Sequence, residues 1–189
     1  MVIAVVTVLT VINLGVLVAL VAAVLLSLLD VIRRIARPND AVLGWSSAEL
    51  RYADVSSDPD VAVTPGVVVY RFSDRLFFAN VHFFKRRVWA AVDGAPKPTR
   101  HLVLDMAGVP GVDSTAATGL RELHDGLLAR NVSLEIARAT DSLEAAMDRL
   151  GLVELIGTDN IHATVISAVE SAAARPDPTR EDHGPTSSP

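Results

Sequence analysis

The sequence predicts an α/β domain, a mixed β-sheet with helices packed against it, preceded by an apolar N-terminal segment. Three observations carry this. The first 29 residues hold no charge, so all 17 basic and 22 acidic residues lie downstream. From Val67 onward, short β-branched or aromatic runs alternate with stretches of helical periodicity, as strands joined by helices do. Clusters of Gly, Pro and Asp separate the two kinds of segment.

A length of 189 residues fits one ordinary domain plus extras. The apolar start is not that of a purely soluble protein, and the chain is too short for a polytopic one complete in itself. A net charge of −5 argues against a basic nucleic-acid binder, so no nucleic-acid partner is expected. With 0 cysteines there are no disulfides, thiolate metal sites or cysteine nucleophiles.

Residues 1–37 read as a transmembrane segment, since a spanning helix needs about 20 apolar residues and this run is longer. Asn13 and Gly15 interrupt it, so one long tilted helix or two partial helices fit. A polar Asn at such a place expects neighbouring helices. No Lys or Arg precedes the run, which argues against a cleaved signal peptide. Arg33, Arg34 and Arg37 follow it and place the downstream domain in the cytoplasm, at the inner (plasma) membrane, with membrane lipid as a partner.

Pro38 ends that helix. Residues 38–66 read as a linker with one short strand near Ala41–Trp45. Val67 to Phe72 is a strand bounded by Pro65-Gly66, and Leu76-Phe77-Phe78 a short second one. Asn80 caps a helix whose Val81, Phe84, Val88 and Val92 share one face, with Lys85, Arg86 and Arg87 outward. His101 to Asp105 is a buried strand. Ser114 to Arg130 is a helix with Ala116, Leu120, Leu123 and Leu127 inward. Val132 to Ala137 is a strand. Asp141 caps a helix that Gly151 stops, and Asn160 caps a last helix to about Ala174. The α/β domain thus covers 67–174, and residues 175–189, with four prolines and mixed charge, are expected to be disordered.

The stretch from Asp105 to Ala116 holds the candidate site. Asp113 is placed to cap the helix, and Ser114 and Thr115 fall in its first turn. A phosphate there meets free N–H groups and the positive end of the helix dipole, and changes the surface by nearly two negative charges. Asp-Ser-Thr is also simply a good helix start. Asp105, Gly108 and Gly111 form a candidate interaction loop beside it, and Asp105 with Asp113 is a potential carboxylate pair or a pair of loop and cap residues.

Asp113-Ser114-Thr115 resembles the signature of STAS domains, the fold of bacterial anti-sigma-factor antagonists. In those regulators the first hydroxyl residue after the Asp is phosphorylated, and Ser114 matches it. Ala116 departs from the antagonists' glycine. Val67 to Phe72 with Leu76-Phe77-Phe78-Ala79-Asn80 is similar to the start of the STAS domain of SulP-family anion transporters. Arg33-Arg34-Ile35-Ala36-Arg37-Pro38 resembles the join between their last membrane helix and that domain. The resemblance implies a STAS-type fold, the C-terminal portion of a secondary anion (sulfate) transporter, and a domain serving assembly and regulation. It also implies a homodimer, with the rest of the transporter or a regulatory protein at the STAS surface. The alternative is a membrane-tethered regulator of the antagonist type, switched at Ser114 and read by a kinase-like partner. Fold analogy further admits a nucleotide at the strand-to-helix turn.

No enzyme is expected, since no catalytic constellation is present. His82, His101, His124, His162 and His183 show no metal-ligand spacing, so no metal and no cofactor are expected. Lys85, Arg86 and Arg87 with Arg71 and Arg75 read as a basic patch that suits a solvated face or anionic lipid.

Overall fold

The computed structural model describes residues 16–35, 39–57 and 60–175. Helix α1, Val16–Ile35, belongs to a first unit, Met1–Pro38. Its Leu17, Leu20, Leu25, Leu28 and Leu29 are exposed. Among the described residues no helix is long and apolar enough to cross a membrane. The upstream half of the apolar run, residues 1–15, lies outside the described residues, as does the tail 176–189.

The second unit begins at Asn39. It holds β1 (Asn39–Ser46), β2 (Arg51–Asp54), β3 (Val67–Ser73), α2 (Val81–Asp93), β4 (His101–Asp105), α3 (Ser114–Leu128) and β5 (Ser133–Ala137). Then come α4 (Asp141–Arg149), α5 (Leu152–Ile156), a 3₁₀ turn, β6 (Ile161–His162) and α6 (Val165–Ala174). The six strands form one sheet in the order β2-β1-β3-β4-β5-β6. β1 pairs antiparallel with β2 and β3, and β3, β4, β5 and β6 run parallel. The expected mixed sheet is therefore present.

Alternation along each strand sorts the side chains between two layers. On one face Val68, Tyr70, Phe72, Leu102, Leu104, Leu134 and Ile136 pack against α2, α3, α4 and α5. Phe84, Val88, Leu120, Leu123 and Leu127 supply the helical side of that core, at the spacing read from the sequence. On the other face Val67, Val69, Val103 and Ala137 meet α6 through Val165, Ala168, Val169 and Ala172. Parallel strands covered on both faces read as continuous apolar runs, which is why β3 and β4 were legible.

Several local expectations need correcting. The short strand expected near Ala41–Trp45 is β1, and the rest of the segment expected to be a linker also holds β2, both hydrogen-bonded into the sheet; the polar residues of β2 hide its alternation. Leu76 to Phe78 is no strand, and only Leu76 bridges, to Val112. Asn80 is not a side-chain cap. It is fully buried, its Oδ1 accepting from Phe77 N at 3.0 Å and its Nδ2 donating to Arg75 O at 2.7 Å, so it braces the turn before α2. Thr140 rather than Asp141 caps α4, and Thr164 rather than Asn160 caps α6. In both helices a Thr with extended backbone stands one or more residues away from the acid or amide that composition favours.

Candidate functional site

The site residues occupy the carboxyl end of β4 and the loop that leads into α3. Leu76 N donates to Gly111 O and Asp113 N to Leu76 O, both at 3.1 Å, so the two loops at this end are stitched together. Asp113 takes an extended backbone, with φ −93° and ψ 172°. Its Oδ1 accepts from Ala116 N at 2.7 Å, which is the expected cap. Its Oδ2 accepts from Phe78 N at 3.0 Å, across 35 residues of sequence. One carboxylate thus starts a helix and clamps the Phe78 turn. Asp113→Ala should lower domain stability by about 1–2 kcal/mol; an unchanged denaturation midpoint would remove this double role.

Ser114 and Thr115 are exposed in the first turn of α3. With His82, Lys85 and Glu122 they line a shallow groove of about 320 Å³ between α2 and α3. Lys85 and Glu122 form an ion pair across it, and the hydrogen bond from Lys85 holds the Glu122 carboxyl below its usual range. The two helices close up at Gly119, where a Cβ would lie 2.4 Å from Val81 Cγ2.

Asp105 sits at the end of β4 and is fully buried. Its Oδ2 accepts from Arg71 Nε at 2.8 Å and from Arg138 Nη2 at 2.6 Å, and its Oδ1 accepts from Arg138 Nε at 2.8 Å. Burial alone would raise its pKa, but the hydrogen bonds from Arg138 and Arg71 outweigh it and keep Asp105 below the usual carboxylate range. Asp105 and Asp113 therefore have separate partners and do not pair with each other. Gly108 is required by close approach, because a Cβ there would lie 2.7 Å from Ser73 Cα. Gly111 contributes its carbonyl, and a Cβ at that position would meet the Arg75 guanidinium in ordinary contact, its nearest atom Nη1 at 3.5 Å.

With this geometry in place, residues 58–168 match the family described as STAS domain. The chain belongs to the STAS domain family. It is 35% identical over 147 residues to a probable sulfate transporter of Mycobacterium tuberculosis, covering 78% of this chain and 26% of that protein. The chain thus spans about a quarter of the length of that relative. Murine solute carrier 26 family member A9, an anion transporter, shares the fold at TM-score 0.72 and 22% identity, covering 92% of this chain and 28% of that one. The STAS domain of a SulP transporter from Vibrio cholerae does so at TM-score 0.50 and 21% identity, covering 63% of this chain and 90% of that one.

Two further features of this STAS domain were not legible beforehand. Arg138, the partner of Asp105, follows β5 in a left-handed conformation with φ 58°. A non-glycine residue there is uncommon, and here Asp105 on one side and the hydrogen bond from its own N–H to His162 O on the other hold it. Glu135, in the middle of β5, is fully buried. Its carboxylate lies 2.9 Å from His162 Nε2, 3.4 Å from Arg175 Nη1 and 3.6 Å from His101 Nδ1. These are ion-pair distances without aligned hydrogen bonds. A lone acid inside the apolar run Leu134 to Ile136 was the available signal. Among the described residues no group of three or more His, Asp or Glu is arranged to hold a metal. The expected basic patch is divided: Arg71 faces Asp105, Lys85 pairs with Glu122, and Arg87 Nε donates to Asp40 Oδ2 at 2.7 Å.

Proposed function

We propose that this chain is the STAS-bearing portion of a secondary anion transporter that moves sulfate, anchored in the inner (plasma) membrane by its apolar N-terminal segment. The single observation behind it is the 35% identity to a probable sulfate transporter across 78% of the chain. The run of 29 uncharged residues followed by Arg33, Arg34 and Arg37 supports a membrane anchor with the STAS domain on the cytoplasmic side.

In this reading the STAS domain moves no ion. It assembles the protein as a homodimer and regulates it through the exposed turn at Asp113, Ser114 and Thr115. Phosphorylating Ser114 would put a doubly charged group over the first-turn N–H groups of α3, next to Lys85 and Glu122 in the same groove. Lys85 would then exchange Glu122 for the phosphate, and the groove, in which Lys85 and Glu122 balance, would become net negative.

The test is uptake of labelled sulfate by cells making the native protein, in wild-type form and with Ser114→Asp. Uptake above the background of cells lacking the protein is expected, with a changed rate in Ser114→Asp and an unchanged melting midpoint. Absence of uptake sinks the transport reading. Uptake identical in the two forms sinks the regulatory role of Ser114 and leaves transport standing.

A further inference from the structure

On the face covered by α6, a groove of about 490 Å³ is lined by three arginines and by no acidic residue. Arg71 comes from β3, Arg138 from the residue after β5, and Arg51 from the first residue of β2. Gly108 and the start of α6 at Thr164 complete the lining. A chain of net charge −5 thus gathers three cations from separate elements around one concavity.

Two of these cations are held in place. Arg71 and Arg138 both bond the buried Asp105, through Nε of the first and Nε and Nη2 of the second. One carboxylate is therefore set against two guanidinium charges, and most of each fork's N–H donors are not used by it. Arg51 pairs with Glu49, and both side chains are more than two-fifths exposed, at 60% and 49%. The first-turn N–H groups of α6 have no acceptor within the helix and add a positive dipole end at the same wall.

A planar carboxylate is satisfied by one or two forks, as Asp105 shows. Three forks from three directions suit an anion with oxygens pointing several ways. We propose that this groove binds a tetrahedral phosphate-type oxyanion, either the headgroup of an anionic lipid or phosphate free in solution. Two observations make the lipid a source. Leu50 and Ile166 at the rim are 73% and 44% exposed. Asn39, where the chain enters the sheet, pairs with Ser73, two residues past Arg71. The lipid source rests on the membrane anchor proposed above; the free-anion source does not.

The experiment uses the full chain in maltoside micelles, which contain no phosphate, followed by amide NMR during titration with inorganic phosphate. The same chain is then compared in nanodiscs of phosphatidylcholine and of phosphatidylcholine with phosphatidylglycerol. Arg51→Ala is the variant, because Arg71 and Arg138 also neutralise Asp105 and their loss would disturb the fold. Saturable shifts at Gly108, Arg138 and Ile166 in micelles, weakened about tenfold by Arg51→Ala, establish the site for free phosphate. Silence in micelles, with shifts of the same amides on adding phosphatidylglycerol that disappear in Arg51→Ala, establishes it for the lipid. Silence in both settings overturns the proposal, as do shifts elsewhere or shifts that Arg51→Ala leaves unchanged. The micelle titration does not depend on the membrane reading, so the two can fail separately.

Discussion

Replacing Asp105 by alanine should lower the stability of the STAS domain by about 3–5 kcal/mol. The carboxylate is fully buried and is the shared acceptor for Arg71 and Arg138, so its removal leaves two guanidinium groups facing each other without a counter-charge. The same carboxylate makes stability depend on pH. Its pKa is lower folded than unfolded, so its contribution is fully present above the unfolded value of about 3.9 and is lost as the pH falls through the lower folded value. Denaturant midpoints recorded from pH 7 to pH 3 check both statements. The wild type should lose stability over the acid end of that range, and Asp105→Ala should begin lower and fall less steeply. Equal midpoints at pH 7 would mean that the Arg71 and Arg138 bonds contribute nothing net.

Phe84→Ala should cost about 3–5 kcal/mol, the range for truncating a fully buried aromatic ring. Phe84 lies in α2 with no exposed surface. Its ring meets Phe72 edge-on at 5.1 Å and 77°, and Tyr70 at 6.0 Å and 62°. It is where α2 fastens to the sheet. Tyr70 adds to the effect, since its hydroxyl donates to Asp40 Oδ2 at 2.7 Å and thereby ties β3 to β1. Burial, and then that bond, push the Tyr70 phenol above its ordinary value, so it stays protonated throughout the working range. Thermal melts of wild type, Phe84→Leu and Phe84→Ala should fall in that order. A loss below about 1 kcal/mol for alanine would show that the cavity collapses fully around the missing ring.

The legible parts of this protein were those where one local rule decides. Val67 to Phe72 and His101 to Asp105 are buried parallel strands, and continuous apolar runs mark them. The periodicity of Val81, Phe84, Val88 and Val92 placed α2 and its buried face correctly. Asp113 was read as a cap because N-cap chemistry is set by a few adjacent residues. The α/β class and the place of Ser114 and Thr115 in the first turn of α3 followed from the same local signals.

What only the tertiary structure decided is every pairing between distant residues. Nothing near Asp105 in the sequence announces Arg138, 33 residues on, and nothing near Glu135 announces His162 and Arg175. The strand near Ala41–Trp45 was read, but β2 and the joining of both strands to the sheet were likewise hidden. An edge hairpin is held by backbone hydrogen bonds and by partners across the sheet rather than by its own apolar pattern. Sequence periodicity reports which side of an element faces the core. It does not report which charges meet there, because buried ions are placed by the packing of separate elements and bind one another only once that packing has excluded water.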